Sequence, residues 1–189
     1  MVLKIITLTL SLACFASFSW GVQRFFERPS RLRWQMKLII ASGSIFALDQ
    51  FAAILRRVGT VDALWFAGSV LFIVSFGLFW WSVTSCKKTA LNIAFTITNP
   101  QRLLKAGPYA RIRHPFYASY LCYWIAGVLV TQWWPLVVTV IVMAGLYYSA
   151  SRREEREFLS GSLATEYNAY RRGTGLFWPR LGDTSKSER

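Results

Sequence analysis

The chain is poor in the residues on which metal sites and soluble domains depend. Among its 189 residues are one histidine, three cysteines and nine acidic residues. Cys14, Cys86 and Cys122 lie in or beside apolar segments without metal-ligand spacing, so we expect buried free thiols and no zinc site. Only 16% of the residues are charged, whereas 54% are hydrophobic, more apolar surface than a soluble domain of this size can bury. The composition predicts a protein whose solvent is lipid.

The shortage of acidic residues leaves a formal net charge of +13. The basic residues flank the apolar runs instead of covering one face of a soluble fold. Basic loops beside membrane helices are typical of contact with anionic lipid head groups. The charge pattern therefore favours membrane lipids as partners and argues against nucleic acid.

Five segments are apolar enough to cross a bilayer, which requires about 20 helical residues. They lie at about Val2–Gly21, Leu38–Leu55, Ala63–Cys86, Phe116–Trp133 and Pro135–Ser151. The first could instead be a cleaved signal peptide, but it lacks a small-residue cleavage site before a polar start, which favours a retained helix. Asp49 in the second segment indicates either a polar cavity or a position near the outer end of the helix. We predict an all-α protein with five transmembrane helices.

Basic residues accumulate in alternate connections. They are dense between the first and second segments, between the third and fourth, and after the fifth. The other two connections hold only Arg56 and Arg57. The positive-inside rule then places the N-terminus outside and the C-terminus in the cytoplasm, as in a bacterial inner membrane or its equivalent.

The cytoplasmic connection before the fourth segment is far longer than the usual loop of about 4–6 residues. It ends in Gly107-Pro108-Tyr109 and then Arg113-His114-Pro115-Phe116-Tyr117. Proline keeps His114 out of the α conformation and suits the first turn of the next helix, whose amides and dipole favour an anion. The corner is either a carboxylate-binding site or an ordinary helix start with an orienting arginine.

The tail after the fifth segment is also unlike a simple connector. No helix breaker separates Ser151 from Arg152-Arg153-Glu154-Glu155, so we expect the helix to continue into the cytoplasm. Adjacent residues point about 100° apart, so Glu154 and Glu155 cannot enter one pocket equally. A second helix is predicted to carry Tyr167, Tyr170 and Arg171 on one face and to end at Gly173-Thr174-Gly175.

Taken in order, these elements resemble the isoprenylcysteine carboxyl methyltransferase family and its relatives, the phospholipid methyltransferases. The resemblance covers about Leu103 to Pro179 and runs through the Gly-Pro-Tyr, Arg-His-Pro-x-Tyr, double-glutamate and Glu-Tyr-x-x-Tyr elements. Ser119 and the run Leu163-Ala164-Thr165 depart from the family pattern. On this basis the chain divides into a three-helix region at 1–86, a methyltransferase core at 87–182 and a polar tail at 183–189.

The resemblance implies a cytoplasmic pocket for S-adenosylmethionine and a lipophilic substrate that enters from the bilayer. The cofactor carboxylate would be held by Arg113, His114 and the helix amides. Its amino and ribose groups would be bound by Glu154 or Glu155. Its sulfonium would contact Tyr109 or Tyr117. The implied cofactor-binding residues are Gly107, Tyr109, His114, Pro115, Tyr117, Glu154, Glu155 and Leu159. The implied catalytic residues are Arg113, Tyr170, Arg171 and Arg172, with Arg171 or Arg172 suited to a substrate carboxylate such as that of a prenylated cysteine.

Two other classes stay open. Sterol-type membrane reductases, which use NADPH, carry an element like Arg-His-Pro-x-Tyr but usually lack the double glutamate. A non-catalytic membrane scaffold would also need only short helices and basic loops. No long heptad pattern or GxxxG motif argues for a dimer, so a monomer is favoured.

Overall fold

The computed structural model describes residues 1–25, 34–88 and 103–180. Within these residues the protein consists of six α-helices and one 3₁₀ turn at Gly107–Ala110. The helices are α1 Val2–Phe25, α2 Trp34–Arg57, α3 Ala63–Lys88, α4 Pro115–Thr131, α5 Leu136–Ser160 and α6 Ala164–Gly173. The predicted all-α class is confirmed. The polar tail predicted at 183–189 lies outside the described residues.

The outer faces of the bundle carry large apolar side chains. Five of them are between 58% and 69% exposed, namely Ile45, Leu48, Ile73, Val138 and Ile141. Exposed apolar surface costs free energy in water but not in lipid. In the described part of the chain, three helices are long and apolar enough to cross a membrane, at Val2–Arg24, Met36–Arg57 and Ala63–Cys86. The apolar α4 is shorter, with 17 residues, and the last turns of α5 are charged.

Helix α4 is the centre of the bundle. Most of its residues are buried, and it packs closely along α3. Gly68 of α3 makes this approach possible, because a Cβ there would lie 2.9 Å from the carbonyl oxygen of Ala126. The helix begins at Pro115, as predicted, and ends where Gln132 takes the left-handed conformation with φ 50°.

Polar side chains also join the helices inside the bundle. Gln50 of α2 donates to the Ser11 hydroxyl of α1 at 3.3 Å, and Ser11 donates to the Tyr123 hydroxyl of α4 at 3.3 Å. Gln50 lies against Gly127, where a larger residue would overlap its side chain. In lipid such interhelical hydrogen bonds stabilise helix packing, because the polar groups have few other partners.

The five predicted spans coincide in position with α1 to α5, but only α1, α2 and α3 among the described helices are long and apolar enough to cross a membrane, so spans at α4 and α5 stay predictions. All three cysteines are buried and free, as expected. Asp49 is exposed on α2, so it does not face a cavity within the described part of the bundle.

The helix extension predicted after Ser151 is confirmed, since α5 continues to Ser160. Its buried residues lie three or four positions apart and end with Met143, Tyr147, Ser151 and Glu155. This spacing forms one stripe along the helix. The stripe continues the packing face of the apolar part of α5 into its charged part and brings Glu155 to the site described below.

Candidate functional site

The connector before α4 and the tail after α6 are joined through their backbones. Residue Ile112 pairs with Gly175 in an isolated parallel bridge. The amide of Arg113 donates to the carbonyl of Gly175 at 2.9 Å, and the amide of His114 donates to the carbonyl of Leu176 at 3.1 Å. Gly175 in turn donates to the carbonyl of Arg111 at 3.0 Å. The two polar segments that sequence analysis expected to meet are therefore in contact.

The 3₁₀ turn at Gly107–Ala110 precedes this contact and positions the connector. Gly107 has a φ of 61°, a conformation that favours glycine, and a Cβ there would also overlap the Ser85 side chain. The turn places Tyr109 between α3 and α6, where its hydroxyl lies 3.5 Å from Cys86 Sγ and its carbonyl accepts from the Tyr170 hydroxyl at 2.7 Å. Burial raises the pKa of the Tyr109 hydroxyl well above its ordinary value.

Glu155 is the centre of a buried ionic network. Its Oε1 accepts from Arg113 Nε at 2.7 Å and from the Tyr167 hydroxyl at 3.1 Å, and its Oε2 accepts from Arg152 Nη1 at 2.9 Å. Burial alone would raise the pKa of the Glu155 carboxyl, but the hydrogen bond and charge of Arg113, with His114 and Tyr167, hold it below its ordinary value. Burial and the charge of Glu155 raise the pKa of Tyr167.

Arg113 is held by the protein through Nε and Nη1. Besides Glu155, its guanidinium donates from Nη1 to the carbonyls of Arg171 and Thr174 at the end of α6. The side chain is only 9% exposed. Arg113 thus links the start of α4 to α5 and the tail, and its Nε and Nη1 have acceptors within the chain.

Glu154 has a different environment from its neighbour. It accepts from the Tyr117 hydroxyl at 2.6 Å, and its Oε2 lies 3.3 Å from His114 Nδ1. Its side chain is 29% exposed, against 2% for Glu155. Sequence analysis left open which glutamate enters a pocket; in the structure Glu155 closes a structural network, and Glu154 is the more accessible carboxylate.

His114 carries an unsatisfied nitrogen. Its side chain is 10% exposed, and its Nε2 is buried without a hydrogen-bond partner among the described residues. The nearest carboxylate oxygen, Oε1 of Glu155, is 3.9 Å away. Because a buried polar atom without a partner is costly, this nitrogen indicates a place for a hydrogen-bonding ligand.

Aromatic rings form a column beside Glu154. The ring of Tyr117 stacks between those of His114, with centroids 5.8 Å apart, and Tyr147, with centroids 5.3 Å apart. Phe177 from the tail lies 6.4 Å from both His114 and Tyr117 and meets them edge-on. Sequence analysis missed Tyr147 and Phe177. Tyr147 lies two helical turns before Glu154 on the same helix, and this spacing could have predicted that the two residues are close. Nothing in the sequence marks Phe177.

The other predicted residues surround this centre. Pro115 begins α4, and His114 has the non-helical φ of −124° that the proline requires. Leu159 is half-buried near the end of α5. Arg171 is half-buried and Arg172 exposed, and within the described residues neither guanidinium has an acidic partner.

A cavity of about 350 Å³ opens inside the bundle directly below the site. Helices α1, α2, α4 and α5 line it, and its wall is almost entirely apolar. The rings of Tyr117 and Tyr147 belong both to this wall and to the aromatic column. The polar site and the apolar cavity are therefore adjacent and share these two rings.

The profile of the phospholipid methyltransferase family matches residues 64–166, more than half of the 189 residues. The chain belongs to the phospholipid methyltransferase family. No individual curated protein matches it significantly. Family membership and the apolar helices together make the chain an integral membrane methyltransferase.

The family segment covers α3, α4, α5 and the start of α6, and so includes His114, Tyr117, Glu154 and Glu155. Helices α1 and α2 lie outside it, although they line the cavity. Phe177 and the tail backbone that pairs with Ile112 also lie outside. The polar centre thus belongs to the family segment. The helices α1 and α2 on the cavity side and the tail with Phe177 lie outside it.

Proposed function

We propose that the chain transfers the methyl group of S-adenosylmethionine to a lipophilic acceptor at the cytoplasmic face of a membrane. The observation that carries this is the unsatisfied Nε2 of His114 beside the accessible carboxylate of Glu154, directly above an apolar cavity. A cofactor with a carboxylate, an amino group and a sulfonium needs a donor, an acceptor and aromatic faces. The site has all three within one cluster.

Bound S-adenosylmethionine supplies a methyl group on a positively charged sulfur. In its protonated form His114 donates from both nitrogens, so Nε2 is suited to the cofactor carboxylate, assisted by the positive end of α4. Arg113 was predicted to share this role, but its Nε and Nη1 donate to Glu155 and the tail, so we assign it to holding the site together. Glu154 accepts from the amino or ribose groups, and Tyr117 fixes its orientation.

The remaining residues hold the sulfonium and exclude water. The Tyr117 ring is stacked on both faces, so we assign the sulfonium to the faces of Tyr147 and Phe177 that do not stack on it. Phe177 covers the column from the tail and limits contact with water, which strengthens charge interactions inside the site. Positioning and desolvation then supply most of the rate in an in-line displacement that needs no covalent enzyme intermediate.

We further propose an acceptor carboxylate of an isoprenylcysteine-like or other isoprenoid lipid. Arg171 and Arg172 support this, because both stand at the end of α6, and Arg113 fixes the backbone of the half-buried Arg171 by donating to its carbonyl. A cationic side chain here would hold an anionic head group. Incubation of membranes with methyl-labelled cofactor, followed by identification of the labelled lipid, tests this assignment. A labelled amine product would refute the carboxylate acceptor.

The five-span topology with an outer N-terminus and a cytoplasmic tail is also proposed. The charge distribution and the apolar α4 and α5 support it. Protease digestion of sealed, oriented vesicles should cleave an epitope at the tail from the cytoplasmic side only. Cleavage from the opposite side would refute the orientation.

Ligand binding is the direct test of the activity. S-adenosylhomocysteine, the demethylated product, should raise the unfolding temperature of the purified protein, and NADPH should not. Glu154→Gln should weaken this binding by roughly tenfold or more, since a charged hydrogen bond contributes about 1.5–3 kcal/mol. Glu157→Gln, one turn further along α5, is the matched control and should bind as wild type. Stabilisation by NADPH alone would favour a reductase. If Glu154→Gln bound S-adenosylhomocysteine as well as Glu157→Gln does, Glu154 would not belong to the site.

A further inference from the structure

The cavity below the site occupies only the half of the bundle next to the polar layer. It is lined by the second half of α1, the first half of α2, the first half of α4 and Tyr147 near the end of the apolar part of α5. Because successive helices alternate in direction, these four segments lie at the same level. The cavity is thus within the leaflet that adjoins Glu154 and His114.

The length of the cavity follows from the helix that forms its back wall. On α4 the lining runs from Tyr117 to Trp124, which at 1.5 Å per residue is about 10 Å along the helix axis. At the upper end the Tyr117 hydroxyl touches Glu154. At the lower end Trp124 donates to the Tyr147 hydroxyl at 3.1 Å, so the indole N–H is already satisfied within the bundle. The space therefore suits a hydrocarbon chain whose head lies at the polar end.

The front wall belongs to α1 and α2, outside the family segment at 64–166. Gly43 stands on this wall opposite Trp124. A Cβ at Gly43 would lie 3.6 Å from Met143 Cε and 4.0 Å from Trp124 Cζ2, which are ordinary contact distances. Alanine would fit at this position, and a longer side chain would fill the lower part of the cavity.

We propose that this cavity holds the hydrocarbon chain of the methyl acceptor, and that Gly43 determines how long a chain it accepts. The inference rests on the proposed function for the identity of the occupant. Two features of the structure support it: Tyr117 both lines the cavity and donates to Glu154, and the apolar wall is supplied by helices outside the family segment. Acceptor length is then determined by α1 and α2, and the methyl transfer by α4, α5 and the tail.

The test uses straight-chain fatty acids with a photoreactive diazirine at the terminal carbon, applied to the full-length protein in lipid nanodiscs. In the wild type, labelling should concentrate on the lower cavity wall around Gly43 and Trp124. Affinity should rise about fourfold for each added methylene until the cavity is full. Gly43→Leu should end this rise at a shorter chain and weaken the longest probes by tenfold or more. Gly43→Ala should behave nearly as wild type.

Gly145→Leu is the matched control, because Gly145 is on the outer face of α5 with open space around its Cα. It adds the same side chain to the lipid-facing surface and should leave the chain-length profile unchanged. If Gly43→Leu does not fold, Ile40→Phe narrows the same wall and replaces it. Equal labelling around the outside of the bundle, or an identical profile in the Gly43 and Gly145 variants, would overturn the proposal.

Binding of S-adenosylhomocysteine separates the two hypotheses. It should be the same in wild type and Gly43→Leu, because the glycine lies at the far end of the cavity from His114. Cofactor binding with no effect of Gly43→Leu on the fatty-acid profile would refute the acceptor site and leave methyl transfer standing. If Gly43→Leu changes the chain-length profile but the protein binds no S-adenosylhomocysteine, the cavity holds a hydrocarbon chain that does not belong to a methyl acceptor.

Discussion

The buried carboxylate of Glu155 gives a quantitative test of the network that joins α4, α5 and the tail. Glu155→Gln keeps the size of the side chain, so it creates no cavity, but it removes the negative charge between Arg113 and Arg152. Glu155 and Arg113 are 2% and 9% exposed. Removing one partner of a buried ion pair costs about 3–5 kcal/mol. Because Arg113 keeps two carbonyl acceptors and Arg152 can turn towards water, we expect the lower end, about 3 kcal/mol.

The comparison variant is Glu154→Gln. Its side chain is partly exposed, and the amide can still accept from the Tyr117 hydroxyl, so the cost should be about 1 kcal/mol. The assay is equilibrium unfolding of the purified protein in mixed micelles with a denaturing detergent. Glu155→Gln should lower the free energy of unfolding by about 2 kcal/mol more than Glu154→Gln. Equal costs, or a larger cost for Glu154→Gln, would refute the division of the two glutamates into a structural and a ligand-facing role.

The same network predicts a dependence on pH. The folded protein holds the pKa of Glu155 below its ordinary value of 4.5. A carboxyl with a lowered pKa stabilises the folded state at pH values above the unfolded pKa, and the stabilisation is lost as pH falls through the folded pKa. Wild-type stability should therefore decline as the pH falls below about 4.5, by more than in Glu155→Gln. Parallel curves for the two proteins would contradict the ion pair.

Two glycines give further predictions. Gly127→Ala should overlap the buried side chain of Gln50 and lower the free energy of unfolding by about 1–3 kcal/mol. Adding Gln50→Ala should recover part of this loss, and no recovery would argue against the contact. Gly175→Ala should overlap the carbonyl oxygen of Trp178 and displace the tail from the connector. Faster trypsin cleavage at Arg171 and loss of S-adenosylhomocysteine binding, with the bundle still folded, are the expected results; wild-type behaviour in both assays would refute the role of the tail.

The structure also explains why Arg113 and His114, adjacent in the chain, have different tasks. The backbone of both is fixed by the tail through Gly175 and Leu176. Arg113 then points to Glu155, and His114 packs against Tyr117 with one nitrogen unsatisfied. One residue therefore supplies rigidity, and the other has the open hydrogen-bonding capacity that a cofactor can use. The different contacts of the two residues depend on the tertiary structure and cannot be predicted from their adjacent positions in the sequence.

Much of the protein could be predicted from local properties of the chain. Long apolar runs must be helical in lipid, because every backbone polar group needs a partner within its own segment. Pro115 fixes the start of α4, and the lack of a breaker after Ser151 extends α5 into the polar layer. The ordered motifs identified the family. These features depend on residues close together in sequence, which is why sequence alone determined them.

The different burial of Glu154 and Glu155, the contacts of Arg113 and the position of Phe177 were decided only by the tertiary structure. In a soluble helix, apolar periodicity shows which face is buried. In α5, Val138 and Ile141 face outward while Met143 and Tyr147 face the core, so both faces are apolar and the pattern does not distinguish them. Burial of Glu155 follows from packing against α4 and α6, and the place of Phe177 follows from the pairing of the tail with the connector. Both depend on contacts between distant segments, which only the folded chain brings together.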